Sequence, residues 1–270
     1  MQLAGLIGAG LLLSAVDARS EAARGPRVPP GQWAVDYAKD VCILSRDGIA
    51  GEPGVAIRTA PFANEHDLLV YLPRTGEKER SIKGWLSIDS GTPGTERWIS
   101  IGEPGRARKL IDTRISTDEL AAIATAKSIR LSSNNRLDVT VTLPTIAKAM
   151  AALKACEVEL ASRWGVAPLD MMRWARTARS ESDLRSLFWS DDRRKSVMLR
   201  RPVRALLNID ERGAVTGCTI TQSSRVSWVD IRFCEMLRTD AKFRPAVDAN
   251  GTPMPSNYVT PAITSALIRR

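Results

Sequence analysis

The sequence predicts an α+β protein: a β-rich N-terminal domain with two helices, followed by a small β-β-α-β module. Three observations carry this reading. Short apolar runs bounded by turn residues recur through residues 33–101. Two stretches, opening at Ser116 and after Pro144, combine a helix-start signal with apolar residues at helical spacing. Near the C-terminus an alternating hairpin is followed by an amphipathic helix, and each carries one cysteine.

The chain opens with an uncharged apolar run, residues 3–16, followed by Asp17-Ala18-Arg19 and small residues at Ser20 and Ala22. Such a run is too short to span a bilayer as a helix and fits the apolar part of a secretory leader, residues 1–22, with cleavage expected after Ala18 or Ala22. No Lys or Arg precedes it, so only the amino terminus supplies the positive charge of a leader, and no cysteine follows it to carry a lipid anchor. With 44% apolar residues, a chain of 270 residues has enough material for a core in each of two domains. The formal charge of +9 arises from 39 basic and 30 acidic residues interspersed along the sequence. That mixture predicts a solvated basic surface and no nucleic-acid partner.

In an exported chain an even number of cysteines implies disulfides, and four cysteines allow three pairings. Cys42, Cys156, Cys218 and Cys234 contain no Cys-x-x-Cys pair and His66 is the only histidine, so neither a metal site nor a cofactor is expected. Spacing favours one bridge per half, Cys42 to Cys156 and Cys218 to Cys234.

An irregular Pro/Gly/Arg segment precedes Trp33, where alternation with Val35 and Tyr37 begins a domain expected over residues 30–166. Strands are expected at residues 41–44, 55–59, 68–72, 82–88 and 98–101, separated by turn signals that include two copies of Gly-Glu-Pro-Gly. The Ser116 hydroxyl and Glu119 form a capping box for a helix whose apolar face holds Leu120 and Ile123. A strand at 137–143 follows. The second helix places Ile146, Met150, Leu153, Leu160 and Trp164 on one stripe, with Cys156 beside it, and stops at Gly165. Residues 167–190 read as a helical connector. Residues 191–202 then carry Arg193, Arg194, Lys195, Arg200 and Arg201 without interleaved aromatic residues, which favours a solvated flank over a stacking platform.

The final unit, residues 191–270, contains the hairpin. Val203, Ala205, Leu207 and Ile209 alternate, residues 210–213 turn the chain, and a second strand runs over 214–222. The helix after it is expected to be capped by Ser227 with Asp230 three residues on, and to turn Trp228, Ile231, Cys234 and Leu237 inward. Cys218 shares a strand face with Ile220, so Cys218 and Cys234 meet in one helix–sheet interface, a staple suited to a module with a small core.

The stretches "NIDERGAVTGCTITQSS", "DIRFCEML" and "KFRPAVDANGTPMPSNY" resemble the C-terminal domain of energy-transducing TonB proteins, in the two-cysteine variety found in periplasmic proteins of Gram-negative bacteria. The resemblance covers residues 201–270. It implies a periplasmic location, a three-stranded antiparallel sheet, and a role in transport or the cell envelope in which the last strand pairs with a protein partner such as a TonB-dependent outer-membrane receptor. It places partner binding on Asn257, Tyr258, Val259 and Thr260. The chain departs from the family in lacking an apolar run long enough to anchor it, a proline-rich spacer and a Tyr-Pro before the first strand, and in holding Pro261 in the last strand, where a bulge, an edge or a break is expected. These departures argue against force transduction. The N-terminal half resembles exported domains found before such modules, through Trp33, Cys42 and the closing "ALKACEVELASRWG", and no activity follows from that.

Three functions compete. The first is protein binding by strand addition, with at most peripheral contact with a membrane. The second is an envelope structural protein binding an anionic polymer through residues 193–201. The third is an enzyme, and the residues argue against it: His66 in "FANEHDLL" reads as a surface or strand-end residue, Ser223-Ser224 lies outside any Gly-x-Ser-x-Gly, and Asp191-Asp192 reads as a solvated turn. No catalytic residue is expected.

Overall fold

A computed structural model describes residues 29–72, 80–89, 94–102, 109–134, 137–166, 177–190 and 202–263. The leader, the basic flank at 191–201 and the first part of the expected connector lie outside them. The fold is mixed α+β and rich in strands. The first half contributes β1 (Trp33–Tyr37), β2 (Cys42–Arg46), β3 (Gly54–Thr59), β4 (Glu65–Leu72), β5 (Arg80–Ile88), β6 (Thr95–Gly102), β7 (Lys109–Ser116), β8 (Ser128–Ser133) and β9 (Leu137–Thr142), with helices α1 (Thr117–Ile123) and α2 (Ile146–Arg163). Strands β7 and β8 answer to no expected element, although Ile111, Thr113 and Ile115 alternate as a half-buried strand should.

All nine strands form one antiparallel sheet in the order β1-β2-β3-β4-β7-β6-β5-β8-β9. The sheet curls around a core in which Leu44, Ile57, Leu68, Ile99 and Ile111 meet Leu153 and Leu160 of α2. Fully burying each such Leu or Ile stabilises the fold by roughly 1.5–3 kcal/mol, so the apolar stripe of α2 is what holds it against the sheet. The capping box forms as the sequence predicts, with Ser116 Oγ accepting from the Glu119 amide and the Glu119 carboxylate accepting from the Ser116 amide. Gly165 takes a φ of +80° just past α2, the left-handed stop that glycine allows. The first bridge joins Cys42 to Cys156 and ties α2 to β2.

The second half contains β10 (Arg179–Ser180), α3 (Leu184–Trp189), β11 (Arg204–Ile209), β12 (Val215–Gln222), α4 (Ser227–Thr239), β13 (Phe243–Arg244), β14 (Ala246–Val247), β15 (Pro253–Met254) and β16 (Ser256–Val259). Its main sheet is antiparallel in the order β12-β11-β16. One face, through Ala205, Leu207, Ile209 and Tyr258, packs on Phe233 and Leu237 of α4 and Phe188 of α3. The second bridge joins Cys218 of β12 to Cys234 of α4. Gly213 closes the β11–β12 turn at a φ of +86°, where any Cβ would collide with the Phe243 carbonyl.

Two local expectations need correcting. Ser227 is the first residue of α4 and not its cap; the Asp230 carboxylate turns back instead to accept from the hydroxyls of Ser223 and Ser224 and from the Ser224 amide. The buried face of α4 is Val229, Phe233, Cys234, Met236 and Leu237, which leaves Trp228 43% and Ile231 61% exposed. Of the expected helical connector, the described residues 177–190 hold a short helix, α3, capped by Asp183, and a strand, β10, paired with β13. Pro261 does mark a bulge. Thr260 bonds to the Ala205 carbonyl, and pairing resumes with Ile263 opposite Val203, three residues along one strand against two along the other.

The halves meet where Leu206 and Val259 pack on Ala60, Phe62, Ala161 and Val166. Asn64 of the first half donates to the Ala178 carbonyl, and Arg114 donates to the Ala262 carbonyl.

Candidate functional site

Two places combine exposed or cavity-facing groups with a built scaffold: the edges of the C-terminal sheet, and a cavity between α1, α2 and the large sheet.

The sheet order leaves β16 and β12 as edges. Because Thr260 donates its amide to Ala205, the backbone of Ala205 and Leu207 addresses β16 while that of Leu206 and Asn208 addresses β12. On the far side of β16, the outward groups are therefore those of Asn257 and Val259. Tyr258, Val259 and Thr260 are buried, and the Val259 amide already donates to the Phe62 carbonyl at 3.3 Å. The expected open edge at Asn257–Thr260 is thus closed by the first domain at its centre, with Asn257 left at the rim, where its amide nitrogen donates to Asn208 Oδ1.

The same register turns the backbone of Thr219 and Gly217 toward β11 and that of Cys218 and Ile220 outward. Among the described residues no strand pairs with this side of β12. The strand, "VTGCTITQ", has neither a charge nor a proline to guard it. The disulfide sets Cys234 over β12, and at about 100° per helical residue Ile231 and Trp228 lie successively further round α4, past Cys234 and away from its buried face. On the opposite face of the sheet a cleft of about 870 Å³ is walled by Trp164, Asn208, Thr216, Thr219 and Asn257. An added strand would thus run along a polar cleft on one face of the sheet and, on the other, along the helix that carries the exposed Ile231 and Trp228.

The cavity was not legible from sequence. It has a volume of about 490 Å³, and Phe62, Leu120, Met150 and Leu153 contribute to walls that are mainly apolar. His66, expected at a surface or strand end, is 4% exposed and reaches into it from β4. Its Nδ1 lies 2.8 Å from Thr59 Oγ1, which donates to Glu157 Oε1 at 2.6 Å. Since the single Thr59 proton goes to the carboxylate, His66 carries its proton on Nδ1 and its lone pair on Nε2. Nε2 lies 3.3 Å from Thr117 Oγ1. Burial, opposed by the Asp67 carboxylate, lowers His66 to about 4 and keeps the ring neutral near neutral pH. The bridge explains the assembly: Cys42 is the cross-strand partner of Thr59, and Glu157 follows Cys156 directly, so joining the cysteines brings Glu157 to Thr59. Among the described residues no three His, Cys, Asp or Glu side chains converge on a point that would hold a metal ion.

No protein-family profile matches the chain, and neither a characterised protein nor a solved structure matches it.

Proposed function

We propose that the protein is exported to an oxidising compartment, the periplasm on the resemblance to TonB C-terminal domains, and binds another protein by strand addition to its C-terminal sheet, with β12 as the receiving edge. The observation that carries this is the uncharged edge of β12, unpaired among the described residues, with Trp228 and Ile231 exposed on the helix bridged to it. Both bridges support the compartment, since structural disulfides persist where thiols are not kept reduced. The β-β-α-β arrangement supports the TonB-like reading, and the closure of β16 over Val259 moves the docking edge away from the strand that reading implies. A partner strand would take the outward amides and carbonyls of Cys218 and Ile220 and lay alternate side chains on Trp228 and in the cleft. Binding of this kind needs no catalytic residue, and we assign none.

Capture of proteins from outer-membrane extracts by the mature protein tests this. Replacing Trp228 and Ile231 together with alanine, or Ile220 with proline to remove one outward donor, should cost at least tenfold in capture. Loss of capture on replacing Arg193, Arg194 and Lys195, with Trp228 and Ile231 dispensable, would favour the anionic-polymer reading instead.

A further inference from the structure

The cavity above α2 lies outside the strand-addition surface, and its polar end presents acceptors that a ligand can use. Around His66 three protons are available to four acceptors. Thr59 gives its proton to Glu157, and His66 Nδ1 gives its own to Thr59. Thr117 has one proton and two acceptors within reach, His66 Nε2 at 3.3 Å and the Ala63 carbonyl at 3.5 Å. Thr117 can serve only one of them, so the other is open to a donor from solvent or from a ligand.

Charge at the site narrows the ligand. The Glu157 carboxylate accepts from Thr59 on one oxygen and faces the Lys154 ammonium at 3.3 Å on the other. Lys154 and Glu157 therefore balance each other and the ring of His66 is neutral, so neither an anion nor a cation finds an uncompensated opposite charge. Apart from Thr177, the remaining wall is apolar, with Ala60, Phe62, Leu120, Met150, Leu153 and Val158. Its volume of about 490 Å³ lies within the roughly 300–1,000 Å³ typical of small-molecule sites.

We infer that this cavity binds a small uncharged amphiphile, with an apolar body against Phe62, Leu120, Met150 and Leu153 and a hydroxyl or amide N–H donated to His66 Nε2 or the Ala63 carbonyl. Phe62 is fitted to such a role. It holds a left-handed backbone at φ +62°, strained for a bulky residue, with its side chain in the cavity wall and its carbonyl on Val259.

Titration calorimetry on the full chain with 1-octanol, methyl heptyl ether, octanoate and octylammonium tests the inference. The alcohol and the ether match in heavy atoms and differ in the donor. The wild type should bind the alcohol roughly tenfold more tightly than the ether, and both charged probes more weakly than the alcohol. His66→Asn keeps a donor near the Nδ1 position for Thr59 and removes the Nε2 acceptor; it should erase the preference for alcohol while ether binding persists, which also reports that the fold is intact. Met150→Trp, which fills the cavity, should abolish binding of all four. Equal affinity of the wild type for alcohol and ether, tighter binding of octanoate, or undiminished binding by Met150→Trp would overturn it.

Discussion

His66 and Asp112 sit on paired strands, β4 and β7, and face opposite sides of the large sheet. His66 is buried and Asp112 half-buried, and their effects on stability run in opposite senses. Burial, with a smaller push from the Asp67 carboxylate, raises Asp112 from 3.8 to about 6. The folded state thus holds that proton longer than the unfolded chain, so the contribution of Asp112 is full below its unfolded value and is lost as pH rises through about 6. His66 is lowered from 6.5 to about 4, so its contribution is present above 6.5 and is lost as pH falls through about 4. Asp112→Asn should therefore stabilise the protein by about 1–3 kcal/mol at pH 7 and by little at pH 4. Urea denaturation at the two pH values checks this, and an equal effect at both would refute it. The role of His66 was not legible in "FANEHDLL", because it is covered by α2, which lies far along the chain and is held there by the Cys42–Cys156 bridge. The signal that was available is the adjacency of Glu157 to Cys156, which makes any partner of Cys42 a neighbour of that carboxylate.

At the scale of elements, the capping box of α1, the glycine stop of α2 and the β11–β12 turn at Gly213 were readable, because each depends on a residue type with a local backbone preference, whereas Pro261 announced an edge, a bulge or a break without choosing among them. The orientation of α4 was not. Its sequence offers two overlapping stripes at helical spacing, Trp228-Ile231-Cys234-Leu237 and Val229-Phe233-Met236-Leu237; packing that includes Phe188 of α3 against Phe233 favours the second, while Cys234 and Leu237 of the first stay buried. Trp228 and Ile231 are left exposed, and the proposed function rests on them. The bridges act on this scale too. Closing a loop of 114 residues should contribute more than closing one of 16, about 4–5 against about 3 kcal/mol in the chain-entropy account. Chemical denaturation of Cys42→Ala/Cys156→Ala and of Cys218→Ala/Cys234→Ala should reproduce that order. The first pair should in addition disorder the cavity, since it fixes Glu157 against Thr59.

Across the whole molecule, the two halves share a small apolar contact and a buried layer of charge. Arg204 is 5% exposed at this junction, and its Nε and Nη1 have no hydrogen-bond partner among the described residues. Burial lowers its pKa, as it does for Arg185, and Asp67 opposes the shift at Arg204. Such groups weaken a junction more readily than they strengthen it. The apolar side must then hold the halves, chiefly Phe62 with Val259 and Leu206. Phe62→Ala should leave both bridges and the secondary structure in place, cost roughly 3–5 kcal/mol, and speed amide exchange at Val259. Unchanged exchange at Val259 would show that the Phe62 carbonyl alone closes β16. Each half has its own cysteine pair, which the spacing suggested, but their docking was not legible, because it depends on single residues with no periodic signature.

The central claim is that a partner strand pairs with β12. Amide hydrogen exchange on the mature protein, alone and saturated with its captured partner, tests it directly, because an added strand must bond the outward amides of the edge it joins. The account predicts new protection at Cys218 and Ile220, with Asn257 and Val259 unchanged. Protection at Asn257 and Val259 with none at Cys218 and Ile220 would contradict it, and would mean that the first domain swings away from β16 to admit the partner.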